Sequence, residues 1–190
     1  DIVINNCTVF DNDTAGFTFD TGITGPILIN NCTIRNNLME GIFIRNAQDI
    51  SVTNSSIKNN GDKGIALYKV NNTNYPKNIK ISDTTFRSNV DEAITASYVK
   101  KMDISSCTFI DNGTSGTTFN LKLEDACENV ILNGCNFNTK GIYIADGSKN
   151  VSINSSYFTN QTQDKSINIQ GKLNGNQTTS TEGIIINGCQ

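Results

Sequence analysis

Four acidic residues, Glu40, Asp62, Asp91 and Glu92, gather around Lys63 at matching places in successive stretches of the chain. If those stretches stack as adjacent strands, Asp62 and Asp91 stand about 4.8 Å apart. Retaining glycosidases hold their two carboxyl groups at a similar separation, roughly 5 Å. Carboxylates so close push one another's pKa apart, which allows one to act as an acid and the other as a base. The same spacing arises for any two stacked acids, so it permits this chemistry without requiring it.

A second set suits sugar recognition. Tyr68, Tyr75 and Tyr98 offer amphipathic rings for stacking, and Lys100, Lys101, Glu124 and Asp125 offer charged hydrogen bonds. These residues equally fit ordinary solvated loops. A third set, Arg35, Lys58 and Arg87, repeats like charge at one place in three consecutive units. Such a stripe costs stability unless an anion relieves it or solvent screens it.

Composition removes other chemistries. The 190 residues contain no histidine and no tryptophan, and the net charge is −3. Ser-His-Asp and Cys-His catalysis are therefore excluded. No basic face suggests a nucleic-acid partner. Apolar runs such as Ile184-Ile185-Ile186 are too short to enter a bilayer as a helix.

What must position these residues is a repeat. Segments beginning at Ile2, Ile27, Ile50, Ile79, Met102, Val130, Val151 and Ile184 align as one motif, for example Ile2-Val-Ile-Asn-Asn-Cys-Thr-Val beside Ile27-Leu-Ile-Asn-Asn-Cys-Thr-Ile. Apolar residues alternate within each unit, the period of a strand with one buried face. Three short strands per unit are expected. Val9, Ile34, Ile57, Phe86, Phe109, Phe137 and Phe158 form one inward line, and Ile42/Ile44, Ile65/Leu67 and Ile142/Ile144 form another.

Between the first two strands a two-residue corner carries Asn5-Asn6, Asn30-Asn31, Ser82-Asp83 or Asn133-Gly134. Asn, Asp and Gly tolerate the left-handed backbone such a corner needs, and stacked asparagines there can form an amide ladder. A second polar corner carries Asn12, Asn37, Asn60, Asn89 and Asn112 ahead of Gly16, Gly41, Gly64, Ala93 and Gly116.

Cys7, Cys32, Cys107, Cys135 and Cys189 share an inward column with Ser55, Thr84 and Ser156, where a thiol serves as a small hydrophobe. Stacked Cβ atoms stand about 4.8 Å apart whereas a disulfide wants about 3.8 Å, so free thiols are expected. Cys127 is placed in a loop. Length changes collect at the third corner, in Tyr68–Asn78, Asn120–Asn129 and Gln170–Gly183, as two walls around the short Ser97–Lys101.

This pattern resembles the right-handed parallel β-helix superfamily over essentially the whole chain, a group spanning pectate lyases, polygalacturonases, phage tailspikes and surface adhesins. The resemblance implies an all-β, single-stranded solenoid of about seven coils with three short strands each. Residues 1–190 are expected to be one such domain, an excerpt of a longer chain lacking both caps. It implies a segment of an extracellular, cell-surface or virion protein acting as a structural, glycan-contacting shaft of adhesin or tailspike type.

The alternative is a polysaccharide lyase or glycoside hydrolase acting on an acidic or cell-surface polysaccharide. No acid trio with an adjacent arginine is visible on one face, so no family residue is carried over. The expected partner is a polysaccharide or cell-surface glycan, without nucleic acid or membrane insertion. A homo-oligomer, trimeric for the tailspike kind, is left open. No cofactor or metal is indicated, and calcium is left open.

Overall fold

The computed structural model describes residues 1–23, 25–71, 73–114, 119–162, 165–174 and 177–190, without the side chains of 172–174 and 177–179. It is a parallel β-solenoid with three sheets. The first sheet stacks Ile2–Asn5, Ile27–Asn30, Gln48–Thr53, Lys77–Ser82, Lys100–Ser105, Glu128–Asn133, Lys149–Asn154 and Glu182–Asn187. The register pairs Ile2 with Ile27 and Ile27 with Ile50, and so on through Val151 with Ile184, as the repeat predicts.

The second sheet runs from Thr8–Phe10 to Tyr157–Thr159. The third stacks Phe17–Phe19, Ile42–Arg45, Ile65–Tyr68, Ile94–Ser97, Leu121–Glu124, Ile142–Ile144 and Ile167–Ile169.

Alternation places one side chain in two inside, and the inward columns fuse into a single apolar cluster. Phe86, Phe109, Phe137 and Phe158 stack nearly parallel, with ring centroids 5.2, 4.6 and 5.1 Å apart. Offset stacks of this kind add about 0.5–1.5 kcal/mol per pair beyond simple burial.

The corners are built as their residue types demand. Asn6, Asn31, Asn54, Asp83, Ser106, Gly134, Ser155 and Gly188 all take positive φ, between 47° and 61°. At this first corner the amides are exposed, as in the 2.7 Å bond from Asn31 Nδ2 to Asn6 Oδ1. The continuous ladder lies instead at the second corner. There Asn12, Asn37, Asn60, Asn89 and Asn112 each donate through Nδ2 to the next amide oxygen at 2.7–2.9 Å. The last acceptor is Asn120, which enters from just before the third strand. Beyond the exposed Asn12, the rungs Asn37, Asn60, Asn89, Asn112 and Asn120 are buried from solvent, so this corner rather than the exposed one sustains the ladder.

Two expectations are corrected. Leu121–Glu124 is the third strand of its coil, not part of a loop, because Leu121 and Leu123 alternate inward with complete burial. Cys127 lies in the connection between Leu121–Glu124 and Glu128–Asn133, as expected, but it is fully buried there, and the backbone ties it into a stack with Val99 and Ser148. Burial pushes its thiol up to about 12, which keeps it protonated and unreactive. All six cysteines are free.

The extra length in this coil belongs to the second corner, between Thr108–Ile110 and Leu121–Glu124. Gly116 falls there, outside the described residues. The last long insertion carries an antiparallel pairing of Lys172–Asn174 with Gln177–Thr179.

Candidate functional site

The outer face of the third sheet collects most of the charged chemistry. In a strand, residues flanking the inward pair must point out, so Ile65 and Leu67 turn Ala66 and Tyr68 to the outside. Stacking then creates columns. Phe43, Ala66, Thr95, Lys122 and Tyr143 form one, and Arg45 with Tyr68 and Ser97 with Glu124 belong to the next. On the other side, Gly41 N donates to Lys63 O and Gly64 N to Glu92 O, which stacks Glu40, Lys63 and Glu92 on successive coils.

Close stacking of these corners requires small residues. A Cβ added to Gly41 would meet Gly64 O at 2.7 Å and Ile57 Cγ2 at 2.7 Å.

Lys63 is the centre of the acidic group. Its Nζ donates to Asp62 Oδ1 at 2.8 Å and Asp91 Oδ2 at 3.0 Å. Burial opposes its charge, yet the hydrogen bonds from the two aspartates prevail and hold its pKa above the usual lysine value. Glu92, 4% exposed, accepts a hydrogen bond from Thr95 Oγ1 at 3.1 Å. Burial, then the neighbouring Asp91 charge, pushes the Glu92 carboxyl above the ordinary range. Glu40 is raised too, chiefly by burial.

Lys122 pairs with Glu124 at 2.9 Å on the same strand face. Tyr68 lies within electrostatic reach of Lys63, Glu124, Asp62 and Glu92, and burial raises its hydroxyl pKa. Its ring stands 6.1 Å from that of Phe43. Two outward aromatic rings thus adjoin a half-buried set of acids and lysines.

The residues singled out from sequence divide. Glu40, Asp62, Asp91, Glu92, Tyr68 and Glu124 come together on this face. Asp125 sits beside it, accepting from Ser97 Oγ at 3.0 Å. Tyr75 and Tyr98 lie at the third corner, as expected, and Lys100 and Lys101 open the first-sheet strand that follows it. Lys69 Nζ stands 3.1 Å from the Tyr98 ring centroid, and Lys77 Nζ 5.7 Å from that of Tyr75. Lys100 pairs with Glu128 and donates to Ala126 O. Lys101 is exposed with φ 65°.

Phe43, Thr95 and Lys122 were not singled out. Their signal is present, since each occupies the polar phase between two inward apolar residues. As the sequence expects, Glu40, Asp62, Asp91 and Glu92 gather around Lys63, and Glu124 joins them on this face. Among the described residues no group of three or more acids, cysteines or histidines is arranged to hold a metal ion.

Residues 1–78 match the family model described as right handed beta helix region. No curated protein matches the sequence. The A-module of mannuronan C-5 epimerase AlgE4 from Azotobacter vinelandii has a TM-score of 0.78 at 14% identity, covering 99% of this chain and 55% of that one. The catalytic domain of a GH87 alpha-1,3-glucanase in complex with tetrasaccharides gives 0.68 at 12% identity, with 98% and 38% covered. The catalytic unit of a thermostable GH87 alpha-1,3-glucanase from Streptomyces thermodiastaticus strain HF3-3 gives 0.61 at 16% identity, with 99% and 44% covered.

The chain spans about half the length of these solved structures, or less. At such identities the likeness is one of fold. In its strand register, its match to the family model and its likeness to these structures, the chain is a right-handed parallel β-helix.

Proposed function

We propose that the chain is a glycan-contacting β-helix segment of an extracellular or virion-surface protein, with the outer face of the third sheet as its contact surface. One observation carries this: Phe43 and Tyr68 present adjoining rings beside Lys63, Glu92, Lys122 and Glu124. Sugar rings are apolar on their faces and polar at their rims, which suits a platform edged by charged hydrogen-bonding groups. The solved structures of like fold include an epimerase module named for mannuronan and glucanases named for alpha-1,3-glucan, which supports a polysaccharide as partner. The surface protein would be of adhesin or tailspike kind, a trimer in the latter case.

The test is calorimetric titration of the chain with oligomers of mannuronan and of alpha-1,3-glucan. Tyr68→Ala is expected to weaken binding about tenfold, the loss typical of an aromatic anchor. Absence of binding to every oligosaccharide in a broad glycan panel overturns the reading.

A second reading is a depolymerising lyase or hydrolase, favoured by the buried Glu92 with its raised pKa beside Asp91. A carboxyl whose pKa is raised holds its proton more tightly and suits the role of acid toward a leaving oxygen, with a neighbouring carboxylate as base. Under this reading Glu92→Gln or Asp91→Asn stops the shortening of a polysaccharide but leaves its binding intact. Unchanged cleavage in both variants removes these carboxyls from any such reaction.

A further inference from the structure

The second sheet carries a different surface. Register stacks Phe10, Arg35, Lys58, Arg87 and Ile110 in one outward column, each residue one coil from the next. The inward Ile34, Ile57 and Phe86 force their following residues outside, so three cations recur about 4.8 Å apart along a straight line. Among the described residues, Lys58 and Arg87 make no ion pair with any carboxylate, and Arg35 lies over the Phe10 ring at 4.5 Å. Like charges stacked directly across strands repel one another, and among the described residues no ion pair relieves this repulsion at Lys58 or Arg87.

The flanks of the strip are neutral. On one side the outward column is Thr33, Ser56, Thr85 and Thr108. On the other, the residues that follow the three cations are Asn36, Asn59 and Ser88, all at positive φ. Aspartates occupy that position only at the bounding coils, as Asp11 and Asp111. The strip is therefore a three-coil cationic line edged by hydroxyls and amides and closed by a carboxylate at each end.

We propose that this line is a binding strip for a linear acidic polysaccharide, separate from the third-sheet face, with Arg35, Lys58 and Arg87 each meeting a carboxylate or sulfate. Hydroxyls and amides beside the cations meet the sugar hydroxyls. A sugar polymer fits better than nucleic acid, because the protein is acidic overall and nucleic-acid surfaces carry extensive positive charge. The strip does not depend on the third-sheet reading, since the two faces share no residue.

The test titrates the whole chain with a fluorescent galacturonate oligomer, with a neutral glucan oligomer of equal length and with a single-stranded oligonucleotide. The galacturonate oligomer is expected to bind, to weaken as salt rises and to lose about tenfold in affinity in the R35Q/K58Q/R87Q variant. The variant should melt no lower than the parent, because it removes repulsion. The Tyr68→Ala variant should keep galacturonate binding, which separates failure of this strip from failure of the third-sheet face. Absence of galacturonate binding, or unchanged affinity in the triple variant, overturns the proposal, and an equal or stronger response to the oligonucleotide overturns the choice of a sugar polymer.

Discussion

Lys63 Nζ donates at 3.0 Å to Asp91 Oδ2, across one coil and 28 positions along the chain, while also holding Asp62. Replacing Lys63 by Ala leaves two carboxylates facing each other without their shared donor. Charge-assisted hydrogen bonds of this kind contribute about 1.5–3 kcal/mol, and a loss in that range is expected in urea unfolding. A double-mutant cycle with Asp91→Asn should show the two changes to be non-additive. Additive losses would mean that solvent already screens the pair.

Glu92 and Glu40 predict a pH dependence whose sign follows from burial. Both folded carboxyls titrate above the ordinary glutamate value of 4.5, so the folded state binds protons more tightly than the unfolded chain. Their contribution is present below that value and is lost as pH rises through the folded pKa. Glu92→Gln keeps an acceptor for Thr95 without the charge. Its melting temperature should exceed the parent's at neutral pH, and the gap should close in acid. A gap that persists at pH 3 would point to packing as the cause.

The phenylalanine stack offers a test of the core. Phe109 is fully buried between Phe86 and Phe137. Phe109→Ala removes the ring and both stacking contacts, and should cost about 3–5 kcal/mol in chemical denaturation. A cost near 1 kcal/mol would show that the column collapses to fill the space.

The two asparagine corners should respond differently. Asn60, fully buried, donates to Asn89 Oδ1 and accepts from the side chain and backbone N–H of Asn37. Asn60→Ala leaves buried donors without partners and should cost about 3 kcal/mol or more. Asn31 sits at the exposed corner with φ 53°. There Ala should cost about 1–2 kcal/mol, chiefly through left-handed strain because its amide bond to Asn6 is exposed to water, and Gly should restore most of the stability. Thermal melts of the three variants decide this, and equal losses for Asn60→Ala and Asn31→Ala would place the strain, not the ladder, in control.

Much of the cylinder was legible in the chain because a strand's period is two and each coil repeats its neighbour. Ile2, Ile27 and Ile50 align in sequence and pair in space for the same reason: a one-residue slip would turn every apolar side chain outward. The left-handed residues were legible too, since few residue types accept that backbone. Leu121–Glu124 was obscured because the preceding insertion shifts it from the usual distance after Phe109, and distance along the chain was the guide.

The candidate site was only partly legible. Alternation tells that Tyr68, Thr95 and Lys122 face outward, but not which outward residues share a neighbourhood. Tertiary structure alone decided that Lys63 bridges Asp62 and Asp91, that Glu92 is buried against Thr95, and that Tyr68 joins Phe43 on the third-sheet face while Tyr75 and Tyr98 stay at the third corner. The physical reason is that inward positions are dictated by apolar burial, which acts residue by residue, whereas the outer face is settled by long polar side chains choosing partners across coils.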